Sequence, residues 1–115
     1  MPAPAPAPSI DTVIYAELQA AAGAEFAAEL VVTFLEEAPL MLAELRSALA
    51  DGSAERYRRA AHSLKSNGHT FGATALAELA RKLELGGLPA DARPLDVLDT
   101  EYARAAAALQ ELARG

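Results

Sequence analysis

His62 and His69 are the two histidines of a 115-residue chain that has no cysteine. Thiolate nucleophiles, thiolate metal sites and disulfides are thereby excluded, and the absence fits a reducing compartment. Imidazole is the side chain that offers a neutral nucleophile near physiological pH, and a phosphoryl group bound to its nitrogen remains transferable. Around His62 the types and spacing are informative. Arg58 and Arg59 stand one turn before it, and Lys65 stands one turn after. Cations on both sides would meet the roughly −1.5 to −2 charges of a phosphoryl group and favour the free-base form of the ring.

The element that must present these groups is the stretch 54–73, AERYRRAAHSLKSNGHTFGA. Tyr57, Ala61, Leu64, Gly68 and Phe71 recur at steps of four and three, which predicts one apolar stripe facing a core. Arg58, Arg59, His62, Lys65, Ser66 and His69 fall on the opposite side. The stretch therefore reads as an amphipathic helix with a basic outer face and an imidazole at its centre. Gly68 and Gly72 would let another surface, or a neighbouring helix, come close.

Composition sets the frame. A chain of this length builds a single core. Ala and Leu dominate its apolar half, with few aromatic or β-branched residues, which favours helix over sheet. A net charge of −6 argues against a nucleic-acid binder, which needs a surplus of Lys and Arg. An acidic body with basic residues gathered at Arg56, Arg58, Arg59 and Lys65 suits one small anion. No apolar run approaches the roughly 18 residues that span a bilayer, and the N-terminus lacks the pattern of a secretory signal. The expected location is the cytoplasm, without membrane insertion.

In chain order, residues 1–8, MPAPAPAP, alternate with proline and read as an extended spacer. They would serve as a tether, as its remnant, or as a leader without a role, ahead of a domain over 9–115. Ser9 or Asp11 caps a short helix containing Val13, Ile14 and Leu18, which Gly23 ends. A second helix from near Glu25 carries Phe26, Leu30, Phe34, Leu42, Leu45 and Leu49. Pro39 predicts a kink or short break in it near Ala38. Glu29, Glu36, Glu37 and Glu44 read as its solvated face. Asp51-Gly52 turns the chain and Ser53 caps the helix that bears His62. A fourth helix runs from about Ala73 to Leu85, with Leu76, Leu79, Ala80 and Leu83 inward. Gly86-Gly87 and Pro89 stop it, and a last helix runs from about Pro94 to Arg114. The expected fold is all-α: an antiparallel four-helix bundle with a short additional N-terminal helix.

The residues His62-Ser63-Leu64-Lys65-Ser66-Asn67, then Phe71-Gly72-Ala73, then Leu76, Leu79 and Leu83-Glu84, resemble the histidine-containing phosphotransfer (HPt) domain. That family's pattern is roughly His-x-Leu-Lys-Gly-Ser, an apolar residue with Gly and Ala, and a further helix ending in Leu-Glu. Ser66 stands where Gly is usual and Asn67 where Ser is frequent, and both are small and polar. The likeness runs from about Ile10 to the C-terminus. It implies His62 as the phosphorylated residue and Lys65 as its electrostatic support. Arg58, Arg59, Ser66, Asn67, Gly68, His69 and Gly72 become the candidates for a partner-facing rim, with His69 peripheral, and Leu40 and Met41 candidates for an apolar patch or for core. The chain has no Gly-rich phosphate loop and no acidic metal cluster, so it would carry a phosphoryl group without autonomous kinase activity. By the same resemblance, Mg²⁺ and catalysis belong to a response-regulator receiver domain, whose phosphoaspartate exchanges with His62, downstream of a hybrid histidine kinase. Exchange requires separation, which implies transient association and a monomeric carrier.

Three rivals compete with this reading. A metal site from His62 and His69, seven residues apart with no carboxylate on that face, is a poor ligand set. The phosphoacceptor helix pair of a histidine kinase usually has an acidic residue directly after its histidine and a proline a turn later, where Ser63 and Asn67 stand here. A helical adaptor that binds a signalling partner without phosphotransfer remains the main alternative, and a His62→Gln substitution separates the two.

Overall fold

The computed structural model describes residues 9–114, which form five α-helices and, among the described residues, no strand. The expected spacer at residues 1–8 lies outside the described residues. The helices are α1 (Thr12–Ala22), α2 (Ala24–Asp51), α3 (Ala54–Thr70), α4 (Thr74–Gly86) and α5 (Arg93–Arg114). Helix α3 packs between α2 and α4, α5 closes against α2 and α4 on the far side, and α1 lies on α2 with a lighter contact to α3.

Local chemistry sets the boundaries. Asp11 caps α1, its carboxylate accepting from the amides of Val13 at 3.0 Å and Ile14 at 3.4 Å. Gly52, in the left-handed conformation, ends α2, and Ser53 caps α3 by accepting from the Arg56 amide. Arg56 then reaches back across that turn to Glu44 at 2.6 Å, Asp51 at 2.7 Å and Ser47 at 2.9 Å. Glu44 is thus an ion-pair partner and not part of a free solvated face, and Arg56 is spent on holding α3 to α2.

Of the kink or short break expected at Pro39, the break does not occur: α2 is one helix of 28 residues. Proline removes the amide that would bond to the carbonyl four residues earlier, which is that of Leu35. The Tyr102 hydroxyl, from α5, approaches that oxygen at 3.5 Å, so part of the lost bonding is restored from a neighbouring helix. Val13 and Phe26 lie on exposed faces, and on α5 Leu98 is buried whereas Val97 is exposed.

The core collects Val31, Phe34 and Leu45 of α2, Tyr57, Ala61 and Leu64 of α3, Leu76 and Ala80 of α4, and Leu95, Leu98 and Leu109 of α5. Phe34 stacks on Phe71 with ring centroids 5.0 Å apart and meets Tyr102 edge-on at 6.2 Å. These rings join α2 to α5 and to the α3–α4 turn, so the helix that carries His62 is fixed at both ends.

Candidate functional site

The stripe Tyr57, Ala61, Leu64, Gly68 and Phe71 is buried, which turns the opposite face of α3 outward. Arg58, Arg59, His62, Ser66 and His69 are exposed on that face, and Lys65 is half-buried beside α4. The His62 side chain keeps 55% of its surface open.

What the sequence does not disclose is the group that grips the ring. Glu84, in the last turn of α4, lies with Oε1 2.7 Å from His62 Nδ1 and Oε2 2.7 Å from Lys65 Nζ. Its side chain is only 12% exposed. The Lys65 ammonium, and then the His62 ring, hold its carboxyl below the usual range against the opposing effect of burial. An ionised carboxylate only accepts, so Nδ1 must be the protonated nitrogen. In the neutral ring the lone pair is then on Nε2, and no hydrogen bond from the described residues engages that atom. The arrangement is an exposed imidazole with a fixed tautomer, a fixed orientation and a nucleophilic nitrogen left free. Glu84 appears in the sequence as part of Leu83-Glu84, but helical periodicity says nothing of a contact 22 residues away on another helix.

The other expected cations are also partnered. Lys65 is shared with Glu84, and Arg58 and Arg59 lie 3.5 and 3.8 Å from Glu55 on their own helix. Both arginines are more than half exposed, so these contacts hold them weakly. Asn67 is half-buried and its amide donates to the Ser63 carbonyl at 2.8 Å. His69 makes no side-chain hydrogen bond or ion pair among the described residues.

Gly68 and Gly72 are both buried, and of the two approaches expected at them, by another surface or by a neighbouring helix, the structure shows the second. At Gly68 an added Cβ would come within 3.2 Å of Ala77 Cβ and 3.3 Å of the Ala73 carbonyl, so glycine there lets α4 approach α3. Gly72 has φ +77° and an added Cβ would lie 2.6 Å from the Asp11 carbonyl oxygen. Its own carbonyl accepts from the Asp11 amide at 2.7 Å, which ties the start of α1 to the α3–α4 turn.

Beside the exposed face runs a groove of ≈ 380 Å³ between α2 and α3, lined by Leu40, Met41, Arg59, Ala60 and Ser63 among others. Leu40 is 69% exposed and Met41 half-buried, so of the two only Met41 also packs against the core.

Comparison with known proteins converges on one family. The family model of the Hpt domain matches residues 29–108. The crystal structure of histidine-containing phosphotransfer protein B (HptB) from Pseudomonas aeruginosa PAO1 superposes with a TM-score of 0.74 at 28% identity, over 95% of this chain and 94% of that one. No curated protein matches. With the matched segment spanning most of α2, all of α3 and α4 and most of α5, the chain belongs to the Hpt domain family and has a histidine phosphotransfer role in two-component systems.

Proposed function

We propose that His62 is the phosphoacceptor, that it takes a phosphoryl group from the phosphoaspartate of a receiver domain, and that it returns the group to the same or another receiver. The observation that carries this reading is the exposed ring with Nδ1 against Glu84 at 2.7 Å, which leaves Nε2 as the free nucleophile. Attack by the Nε2 lone pair on phosphorus breaks the P–O bond of the acyl phosphate, and the aspartyl carboxylate leaves with that electron pair. Lys65 supports the incoming charge, and Arg58 and Arg59, loosely held by Glu55, lie on the same face. Mg²⁺ sits on the receiver, beside its phosphoaspartate, and this chain supplies nucleophile and charge but no metal ligand.

The packing of α2–α5 supports an antiparallel four-helix bundle as scaffold, with α1 as an accessory helix. A receiver docks over the exposed face of α3, with Leu40 and Met41 offering the apolar patch and Arg58, Arg59, Ser66 and Asn67 the polar rim. The carrier works as a monomer in the cytoplasm, downstream of a hybrid histidine kinase. No helix among the described residues is long and apolar enough to cross a membrane. Incubation with a panel of phosphorylated receivers and Mg²⁺ tests the reading. Acid-labile, base-stable label on the wild type and none on His62→Gln is expected. A wild type that no receiver labels, yet which binds one, would leave the adaptor in its place.

A further inference from the structure

We propose, resting on His62 as the phosphoacceptor, that the phosphoryl group on Nε2 is received on the α2 side of α3, by the Arg59 guanidinium and the Ser66 hydroxyl, while Lys65 acts from the other side of the ring without touching it.

Two sides of α3 flank His62, and they carry different groups. On the α4 side, Glu84 meets both His62 Nδ1 and Lys65 Nζ at 2.7 Å. Arg58 lies on that side too, lining a cleft of ≈ 340 Å³ with Glu84 and Leu85. Arg59 lies on the other, lining the groove of ≈ 380 Å³ toward α2 with Leu40, Met41 and Ser63. Helix geometry sorts the remaining residue. At about 100° per residue, Lys65 falls about 60° to one side of His62, and Arg59 and Ser66 fall about 60° and about 40° to the other. The two ring nitrogens sit on different edges of the imidazole. With Nδ1 against α4, the Nε2 lone pair is turned toward the α2 side, where Arg59 and Ser66 stand.

The two sides also differ in what they have left to offer. Lys65 is committed to Glu84 and its side chain is only 23% exposed, so a phosphoryl group on the far edge of the ring would compete with that carboxylate for it. Arg59 Nε lies 3.8 Å from Glu55, beyond hydrogen-bond reach, on a side chain 67% exposed. The Ser66 hydroxyl has no hydrogen bond among the described residues; its backbone carbonyl is what the helix uses, accepting from Thr70 Oγ1 at 3.1 Å. Helical side chains lean toward the N-terminus, so a side chain four positions after His62 leans back over it. Where the family pattern has glycine and no side chain, this chain places an O–H donor. An incoming charge of roughly −1.5 to −2 thus meets an available fork of N–H donors and an unspent hydroxyl on the side its oxygens occupy. Glu44, the α2 carboxylate of the same groove, is neutralised by Arg56 at 2.6 Å and does not oppose the anion.

The test loads the protein with phosphoramidate in a His69→Gln background, so that His62 is the one histidine present and loading does not depend on a receiver. The ³¹P chemical shift of phosphorylated His62 is followed against pH, which reports the last ionisation of the phosphoryl group. A cation or donor touching the phosphoryl oxygens favours the dianion and lowers that midpoint. Arg59→Gln should raise it by about one pH unit, the low end for an adjacent opposite charge. Ser66→Ala should raise it by less, and Lys65→Gln should move it less than Arg59→Gln does. All three side chains project from an outer face, and a role in packing alone would leave the phosphorus titration where it is. An unmoved midpoint in Arg59→Gln or in Ser66→Ala, or a larger move in Lys65→Gln than in Arg59→Gln, would overturn the proposal. The carrier reading fails separately, by absence of label from any receiver, whereas the placement of the phosphoryl group fails by these midpoints.

Discussion

His62 and His69 stand seven residues apart on one helix face, and both are exposed. Yet the protein treats them differently. His62 has a carboxylate of α4 against Nδ1 and, through it, an ammonium one turn on. His69, in the last turn of α3, has neither, and its backbone carbonyl is what the fold uses, accepting from the Gly72 amide at 3.2 Å. The same side chain is thus held in one tautomer at one position and has no side-chain partner among the described residues at the other. Exposure alone does not make a histidine a phosphate carrier. The difference comes from a residue on another helix.

The largest effect that would break this comparison comes from exchanging the two roles. His62→Gln should abolish receiver-dependent labelling, while His69→Gln should leave it within about twofold of wild type, matching the roughly ±0.5 kcal/mol usual for surface changes. Next in size is the buried side of the same helix. Leu64→Ala, two residues from His62 but fully buried, should lower stability in urea by about 2 to 5 kcal/mol while the folded fraction still accepts phosphate. A stable Leu64→Ala variant that has lost labelling would show that the two faces are not separable.

Smaller effects sharpen the account. Glu84 has a folded-state pKa lowered from the model-compound 4.5 by Lys65 and His62. Its ion pairs therefore contribute stability above about pH 4.5 that is lost as pH falls through the lower folded value. Acid titration of unfolding should show that component in the wild type and lack it in Glu84→Gln. Smallest is Tyr102→Phe, which removes the hydroxyl near the Leu35 carbonyl at 3.5 Å. A loss of about 0.5 kcal/mol, the low end for a hydrogen bond, is expected by thermal or urea denaturation.

The α3 stripe was legible because its period is a local property, and each of its five residues is buried. Helix ends at Asp11, Gly52 and Ser53 were legible for the same reason: caps act within three or four residues. What escaped the sequence lies between helices. Pro39 signals a break on its own, and the chain runs on as helix past it while Tyr102, 63 positions away, reaches the carbonyl it strands. Gly68 and Gly72 read as openings toward another surface or a neighbouring helix without saying which, and α4 and the start of α1 fill them. Glu84 stood in the family pattern with no role, since neither its spacing nor its type says that it meets both His62 and Lys65. Glu44 looked solvated until Arg56 came within 2.6 Å from the next helix.

The most direct test of the central claim sets wild type, His62→Gln and His69→Gln side by side with a phosphorylated receiver and Mg²⁺, and maps acid-labile phosphate by mass spectrometry. The account predicts phosphate on His62 in the wild type and in His69→Gln, and none in His62→Gln. Phosphate retained by a folded His62→Gln, on His69 or elsewhere, would contradict it.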